Sequence, residues 1–205
     1  DGNTSNAQNP THTFADTGNY STELIAFTQF CSDTLTKTVV VNPVPTADFN
    51  VNSACVTDTV QFTNNSFVKK GGMTYSWNFG DGNTSNDTNP RYRYTTPGAY
   101  NVTVVSTSDS GYSDTKILPI VINEAPTANF NFVAVCAGDS TPFTDNSFIK
   151  GGSLTHLWDF GVTGGASISA NPKFAYSSAG NYTAKLTVTS INGCIDSVSR
   201  TVLVN

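Results

Sequence analysis

The chain repeats itself, and this restricts its fold more than any other feature, because each unit must be one supersecondary motif or one small domain. DGNTSNAQNP (1–10) recurs as DGNTSNDTNP (81–90), and PTADF (45–49) recurs as PTANF (126–130). QFTNNSFVKKGG (61–72) returns as PFTDNSFIKGG (142–152), and Trp77-Asn78-Phe79-Gly80 as Trp158-Asp159-Phe160-Gly161. Pro10, Phe14, Gly18 and Tyr20 align with Pro90, Tyr94, Gly98 and Tyr100. Tyr176, Gly180 and Tyr182 extend the series after one extra residue in the loop following Gly161. The copies run over 1–43 (the second half only), 44–123 and 124–205. The joints NPVPTA and NEAPTA follow apolar β-branched runs, and their prolines end strand pairing and stiffen a short connection.

Within a copy the apolar period is two. Tyr100, Val102 and Val104 alternate with Asn101, Thr103 and Val105; Tyr182, Ala184, Leu186 and Val188 alternate with Thr183, Lys185 and Thr187. Such runs, bounded by Gly, Asn and Pro, predict half-buried strands. No stretch carries a 3.6-residue period. Several short strands per copy predict an all-β fold of tandem Ig-like antiparallel β-sandwiches arranged end to end. Copy one lacks the counterparts of residues 45–80, so it should not bury its apolar face alone. Either upstream residues complete it, which is the expectation here, or another chain does.

Charged residues make up 12% of the chain, about half the usual share. The net charge is −5 and the pI about 4.7. The largest basic run is Lys69-Lys70, so there is no clustered charge to displace counterions from nucleic acid. No apolar run approaches the roughly 20 residues of a membrane-spanning helix. Residue 1 is Asp, and no signal peptide is visible, which predicts a processed chain or a segment of a longer one.

Copy two reads P-x-A-x-F, V-x-F-T-x-x-S, Y-S-W-N-F-G-D-G and R-Y-R-Y-x-x-P-G-A-Y-N-V-T-V. This resembles the PKD (polycystic kidney disease) domain, an Ig-like sandwich. Copy three departs from the pattern where Val162-Thr163 replace Asp81-Gly82. Trp77 and Trp158 are expected to fill the space between the sheets, and Gly80-Asp81-Gly82 to form a tight turn. Tyr100 and Tyr182 are expected to be core aromatics whose hydroxyls bond to backbone as tyrosine corners. Cys-x-x-Asp-Ser/Thr early and Gly-Cys-x-Asp-Ser late in a copy resemble PKD arrays of large Bacteroidota surface proteins, among them the gliding-motility adhesin. That resemblance implies type IX secretion.

There are four cysteines: Cys31, Cys55, Cys136 and Cys194. Cys55 aligns with Cys136 as an early position; Cys31, Tyr112 and Cys194 align as a late one. Only copy three holds both within this chain, so a Cys136–Cys194 disulfide is expected, stabilising by roughly 2–4 kcal/mol in an oxidising, extracellular setting. Cys31 would then pair within the missing half of copy one and Cys55 would be left over; a Cys31–Cys55 bridge is the alternative. Zinc is not expected, since there is no C-x-x-C pair and His12 and His156 complete no ligand set.

No nucleophile–base pair, G-x-S-x-G, H-E-x-x-H or phosphate loop occurs, and His12 and His156 align with Tyr92 and Tyr75, so the chain is not expected to be an enzyme. Calcium is the one cofactor weighed. Asp81, Asn83 and Asp87 offer oxygens, but calcium needs six to eight ligands, so polar turns and no bound cofactor are expected. Asp followed by Ser or Thr marks Thr34, Thr59, Ser140 and Ser197 as candidate O-glycosylation sites by resemblance to Bacteroidota surface proteins; the same dipeptides also suit turns and strand entries. The expected function is a rigid spacer in an extracellular or cell-surface adhesin or filament. Its partners would be neighbouring repeats and a surface polysaccharide or other adhesive ligand. The alternative is an accessory substrate-binding module of a secreted protease or glycosidase, with Tyr92 and Tyr112 as the candidate contacts if they face outward.

Overall fold

The computed structural model describes residues 1–52 and 54–205, and every regular element among them is a strand. Copy one contributes a two-stranded ribbon, β1 (Gly18–Phe27) and β2 (Ser32–Val41), paired antiparallel. Copy two contains β3 (Phe49–Val51), β4 (Ala54–Cys55), β5 (Val60–Asn64), β6 (Met73–Asn78) and β7 (Thr84–Ser85). It ends with β8 (Arg91–Tyr92), β9 (Gly98–Ser108) and β10 (Ser113–Asn123). These form a five-stranded sheet ordered β4-β10-β9-β6-β7 and a three-stranded sheet ordered β3-β5-β8. Pairing is antiparallel except at β4, which runs parallel to the last two residues of β10, Ile122 and Asn123. This is an exception to the expected antiparallel pairing.

Copy three repeats the design with β11 (Phe130–Phe132), β12 (Ser140–Asp145), β13 (Leu154–Asp159), β14 (Ala166–Ser167), β15 (Lys173–Ala175), β16 (Gly180–Ser190) and β17 (Ile195–Val204). Its sheets are ordered β14-β13-β16-β17 and β11-β12-β15.

The period-two pattern works as expected. Val102 and Val104 on β9, and Ala184, Leu186 and Val188 on β16, are fully buried. Trp77 and Trp158 are completely buried, each held between phenylalanines of the facing sheet. Trp77 lies 5.1 Å from Phe49 and 5.7 Å from Phe62; Trp158 lies 5.0 Å from Phe130 and 5.4 Å from Phe143. A buried indole needs a partner for its N–H. Trp77 Nε1 donates to Asp87 O and Trp158 Nε1 to Ser169 O, both at 2.9 Å.

The glycine after W-x-F has a steric cause. Gly80 has φ +86°, and a Cβ there would stand 2.8 Å from the Asn101 carbonyl oxygen. At Gly161, φ is +75° and the corresponding approach to Thr183 O is 2.7 Å. Neighbouring backbone leaves no room for a side chain, and positive φ disfavours one.

The three copies share a tyrosine corner. Tyr20 donates to Asp16 O at 2.8 Å, Tyr100 to Thr96 O at 2.8 Å and Tyr182 to Ser178 O at 2.9 Å. Tyr100 and Tyr182 are half-buried at the margin of the core rather than inside it. The central positions belong to Tyr94 and Tyr176, whose hydroxyls bond Phe79 O and Phe160 O. In copy one Leu24, Leu35 and Val39 are exposed, on the face that the three-stranded sheet covers in the complete copies.

Candidate functional site

The chemistry that joins one copy to the next sits at the joint between copies two and three. Here Cys55 and Cys194 form a disulfide with Cα atoms 5.7 Å apart. Cys55 ends β4, beside the last residues of β10. Its own N–H donates to the Asp58 carboxylate at 2.9 Å, and the N–H of Val56 donates to Asn123 O at 3.0 Å. This places Cys55 at the end of copy two that leads into copy three.

Cys194 lies in the β16–β17 hairpin. Its N–H donates to Ser190 Oγ at 3.1 Å, and its carbonyl accepts from Ser190 N at 2.8 Å. Two residues on, the Asp196 carboxylate accepts the N–H of Ala128 at 2.8 Å, tying the hairpin to the first residues of copy three. Cys194 therefore faces back toward copy two, and it is 1% exposed.

The expected Cys136–Cys194 disulfide is thus not formed: Cys194 is bonded to Cys55, and Cys136 is a free, exposed thiol, as is Cys31. The reason is the length of the sandwich. Ala137 N donates to Asn205 O at 2.8 Å, so Cys136 stands beyond the end of β17, whereas Cys194 immediately precedes its first residue. Ten residues of strand at about 3.3 Å each separate the two ends. A disulfide spans Cα separations of only about 4.4–6.8 Å. The alternative Cys31–Cys55 bridge fails similarly: Cys31 lies in the β1–β2 hairpin, at the end of copy one away from copy two.

The turn carboxylates serve local structure. Asp81 accepts the Tyr92 hydroxyl at 2.6 Å and the Asn83 N–H at 3.0 Å. Burial pushes its carboxyl up, but the bonds from Tyr92 and Asn83 outweigh this and leave it below the usual range. Asp87 accepts the Ser85 hydroxyl at 3.1 Å. Among the described residues, no three His, Cys, Asp or Glu side chains converge as metal ligands. In copy one His12 contacts Asp1, the pair that aligns with Tyr92 and Asp81. One polar pair had no signal in the repeat. His156 Nε2 lies 2.8 Å from Asp145, where copy two has Tyr75 and Asn64. Ser147 N donates to the same carboxylate at 2.9 Å, so Asp145 anchors the following loop.

Tyr92 does not face outward; it stacks on Phe79 at 4.2 Å and packs against the core. Tyr112 is exposed in the β9–β10 hairpin. Thr34, Thr59, Ser140 and Ser197 are all exposed. Neighbouring aspartates have backbone partners: Asp58 caps the Cys55 turn and Asp196 holds Ala128.

The family model described as PKD domain matches residues 40–122 and 123–204. The pre-pro-metalloprotease PrtV of Vibrio cholerae is 34% identical over 103 residues, 48% of this chain and 11% of that protein. A microbial collagenase of Vibrio alginolyticus is 31% identical over 122 residues, 58% of this chain and 14% of that protein. The chain thus spans only a small part of the curated relatives it matches. Among solved structures, the PKD1 domain of PrtV from Vibrio cholerae aligns at 34% identity, covering 40% of this chain and 99% of that domain, with a TM-score of 0.36. The PKD1 domain of Vibrio anguillarum Epp aligns at 28% identity, covering 40% of this chain and 98% of that domain, with a TM-score of 0.38.

Proposed function

Because the chain belongs to the PKD domain family, with two complete copies in tandem, we propose that it is a non-catalytic, extracellular spacer whose task is to hold distance. The observation that carries this reading is the disulfide between Cys55 and Cys194, which clamps one copy to the next. A linker meant to swivel gains nothing from a covalent bond across its joint. Strands of 11 residues in β9 and β16 give each copy a length of roughly 35–40 Å at about 3.3 Å per residue. A low content of charged residues, and cores built around one tryptophan each, suit a unit that needs only to fold and to be repeated.

Within this reading the parent is a surface adhesin or filament, and the early and late Cys-Asp motifs favour an array of the gliding-motility type. Exposure of Thr34, Thr59, Ser140 and Ser197 is compatible with O-linked sugars on such an array, and the intact mass of the native protein decides that point. Electron microscopy of the parent protein tests the spacer. A stiff rod with a repeat near 40 Å is expected; a chain that bends freely at each joint, oxidised as well as reduced, refutes it.

A second reading has its own support. The relatives that share this segment include a metalloprotease and a collagenase, so the copies would serve as an accessory module beside a hydrolase. Tyr112, exposed alongside Phe67 and Phe148, is an aromatic available for contact with an insoluble substrate. Sedimentation of the chain with collagen, chitin or cellulose separates the readings: retention that is lost in Tyr112→Ala favours the accessory module, and no retention on any of the three favours the spacer.

A further inference from the structure

The joint disulfide sets a rule for the two cysteines it leaves free. Cys55 and Cys136 occupy equivalent places at the far end of their copies. The turn after Cys55 is closed by Asp58 N donating to Cys55 O at 2.9 Å, and that after Cys136 by Asp139 N donating to Cys136 O at 3.1 Å. Each turn is tied to the last strand of its copy, through Val56 N to Asn123 O and Ala137 N to Asn205 O. Cys194 and Cys31 are equivalent at the near end. The carbonyl of Cys194 accepts from Ser190 N at 2.8 Å and that of Cys31 from Thr28 N at 2.7 Å. Their N–H groups donate to the hydroxyls of Ser190 and Thr28.

Two of these four positions are already bonded, far-end cysteine to near-end cysteine of the next copy. The other two make the corresponding turn and hairpin hydrogen bonds, although Cys136 lies in no strand where Cys55 ends β4, and their thiols are solvent-exposed.

We propose that Cys136 and Cys31 are half-sites of the same cross-link, each completed by another PKD repeat. The face around Cys136 takes the near end of a repeat that carries a cysteine at the position of Cys194. The face around Cys31 takes the far end of a repeat that carries one at the position of Cys55. The rule also accounts for Tyr112. Copy two has no near-end cysteine, so its joint with copy one is not stapled; an exposed ion pair between Asp16 and Lys69, at 2.6 Å, spans it instead. Stapled and unstapled joints then occur along one array, and the cysteine pattern sets which joints are locked. Closing each staple removes two protons and two electrons from a pair of thiols. A small-molecule disulfide of the glutathione class accepts them and leaves as two thiols. The inference rests on the tandem repeat and its observed joint, and holds for a spacer and for a hydrolase module alike.

The test uses the full chain extended after Asn205 by a second copy of its own residues 124–205, refolded in a glutathione redox buffer. Alkylation of free thiols and mass mapping of proteolytic fragments are read on the native fold. Cys136, alkylated in the 205-residue chain, is expected to become protected and to appear in one linked peptide with the added copy's counterpart of Cys194. The added counterpart of Cys136 becomes the new reactive thiol. Cys136→Ala should release the added near-end cysteine as a free thiol while the Cys55–Cys194 peptide persists. That peptide is the internal control for folding. An added copy that joins its own two cysteines overturns the proposal, as does a Cys136 that stays fully alkylated while Cys55–Cys194 is intact. Absence of the Cys55–Cys194 peptide from the unextended chain removes its premise and overturns it as well.

Discussion

Tyr92 donates its hydroxyl to Asp81 at 2.6 Å, across the turn that follows W-N-F-G in copy two. The ring stacks on Phe79 at 4.2 Å, as Phe174 stacks on Phe160 at 4.3 Å in copy three. The aromatic body is therefore shared by both complete copies, and of these two only copy two adds the hydrogen bond. Burial and the Asp81 carboxylate push the Tyr92 phenol up to about 12. Tyr92→Phe keeps the stack and is expected to cost only about 1 kcal/mol. Because the folded-state phenol titrates above its unfolded value, its contribution is present below about pH 10 and is lost as pH rises toward 12. Spectrophotometric titration should show one late-ionising phenol fewer in the variant; an unchanged titration curve refutes the assignment.

Gly80 and Gly82 share a turn and positive φ but differ in surroundings. A Cβ at Gly80 meets backbone at 2.8 Å, whereas one at Gly82 meets nothing within 4 Å. Gly82→Ala should cost about 1 kcal/mol from φ alone, and Gly80→Ala more than about 2 kcal/mol, because backbone must move. Urea unfolding of the two variants compares them directly, and equal midpoints would contradict the close approach.

Trp158→Ala is expected to remove about 3–5 kcal/mol from copy three and to leave copy two folded, since Trp77 has its own cluster. Calorimetry should show one transition moving and one standing. Joint loss of both would mean that the two cores are a single cooperative unit.

Asp114 and Asp145 are among the carboxyls held below their ordinary range, and they predict acid sensitivity. Asp114 is lowered by the backbone N–H groups of Ala47 and Thr115. At Asp145 burial acts in the opposite sense, but bonds from Ser147 and His156 prevail. Such groups stabilise the fold above their unfolded value of about 3.9, and the contribution disappears as pH falls through the lower folded-state value. The unfolding temperature should hold steady from about pH 7 to 5 and drop below about pH 4. Asp114→Asn should flatten the part of that drop belonging to copy two, and an identical pH profile for the variant would exclude Asp114 as a source.

Reduction of the disulfide is expected to leave both tryptophans buried and to loosen the joint. Cys55→Ser should keep the emission maximum unchanged and broaden the distance distribution between spin labels at Thr84 and Ser167, one on each copy. A distribution as narrow as that of the oxidised chain would show that the bond does not set the geometry of the joint.

The local design of each copy was legible in the amino-acid order. Alternation along residues 100–105 and 182–188 gives strands with one buried face. The placement of Trp77 and Trp158, the tyrosine corners and the turn glycine follow from side-chain size, hydroxyl position and backbone sterics within a few residues. The fold was legible because repetition shows the pattern more than once. The direction of Tyr92 was not legible, because a two-residue strand carries no usable period and the stacking on Phe79 comes from a distant segment. Tyr100 gave way to Tyr94 at the centre for a similar reason: both are tyrosines near one turn, and only the closing of the sheets decides which is enclosed.

The cysteines mark the boundary most sharply. Their presence, alignment and early or late position were determined by sequence alone. Which thiol meets which was decided by direction in space. A strand carries the chain from one end of the sandwich to the other, so Cys136 and Cys194 of one copy stand a strand length apart, while Cys55 and Cys194 of neighbouring copies meet at the joint.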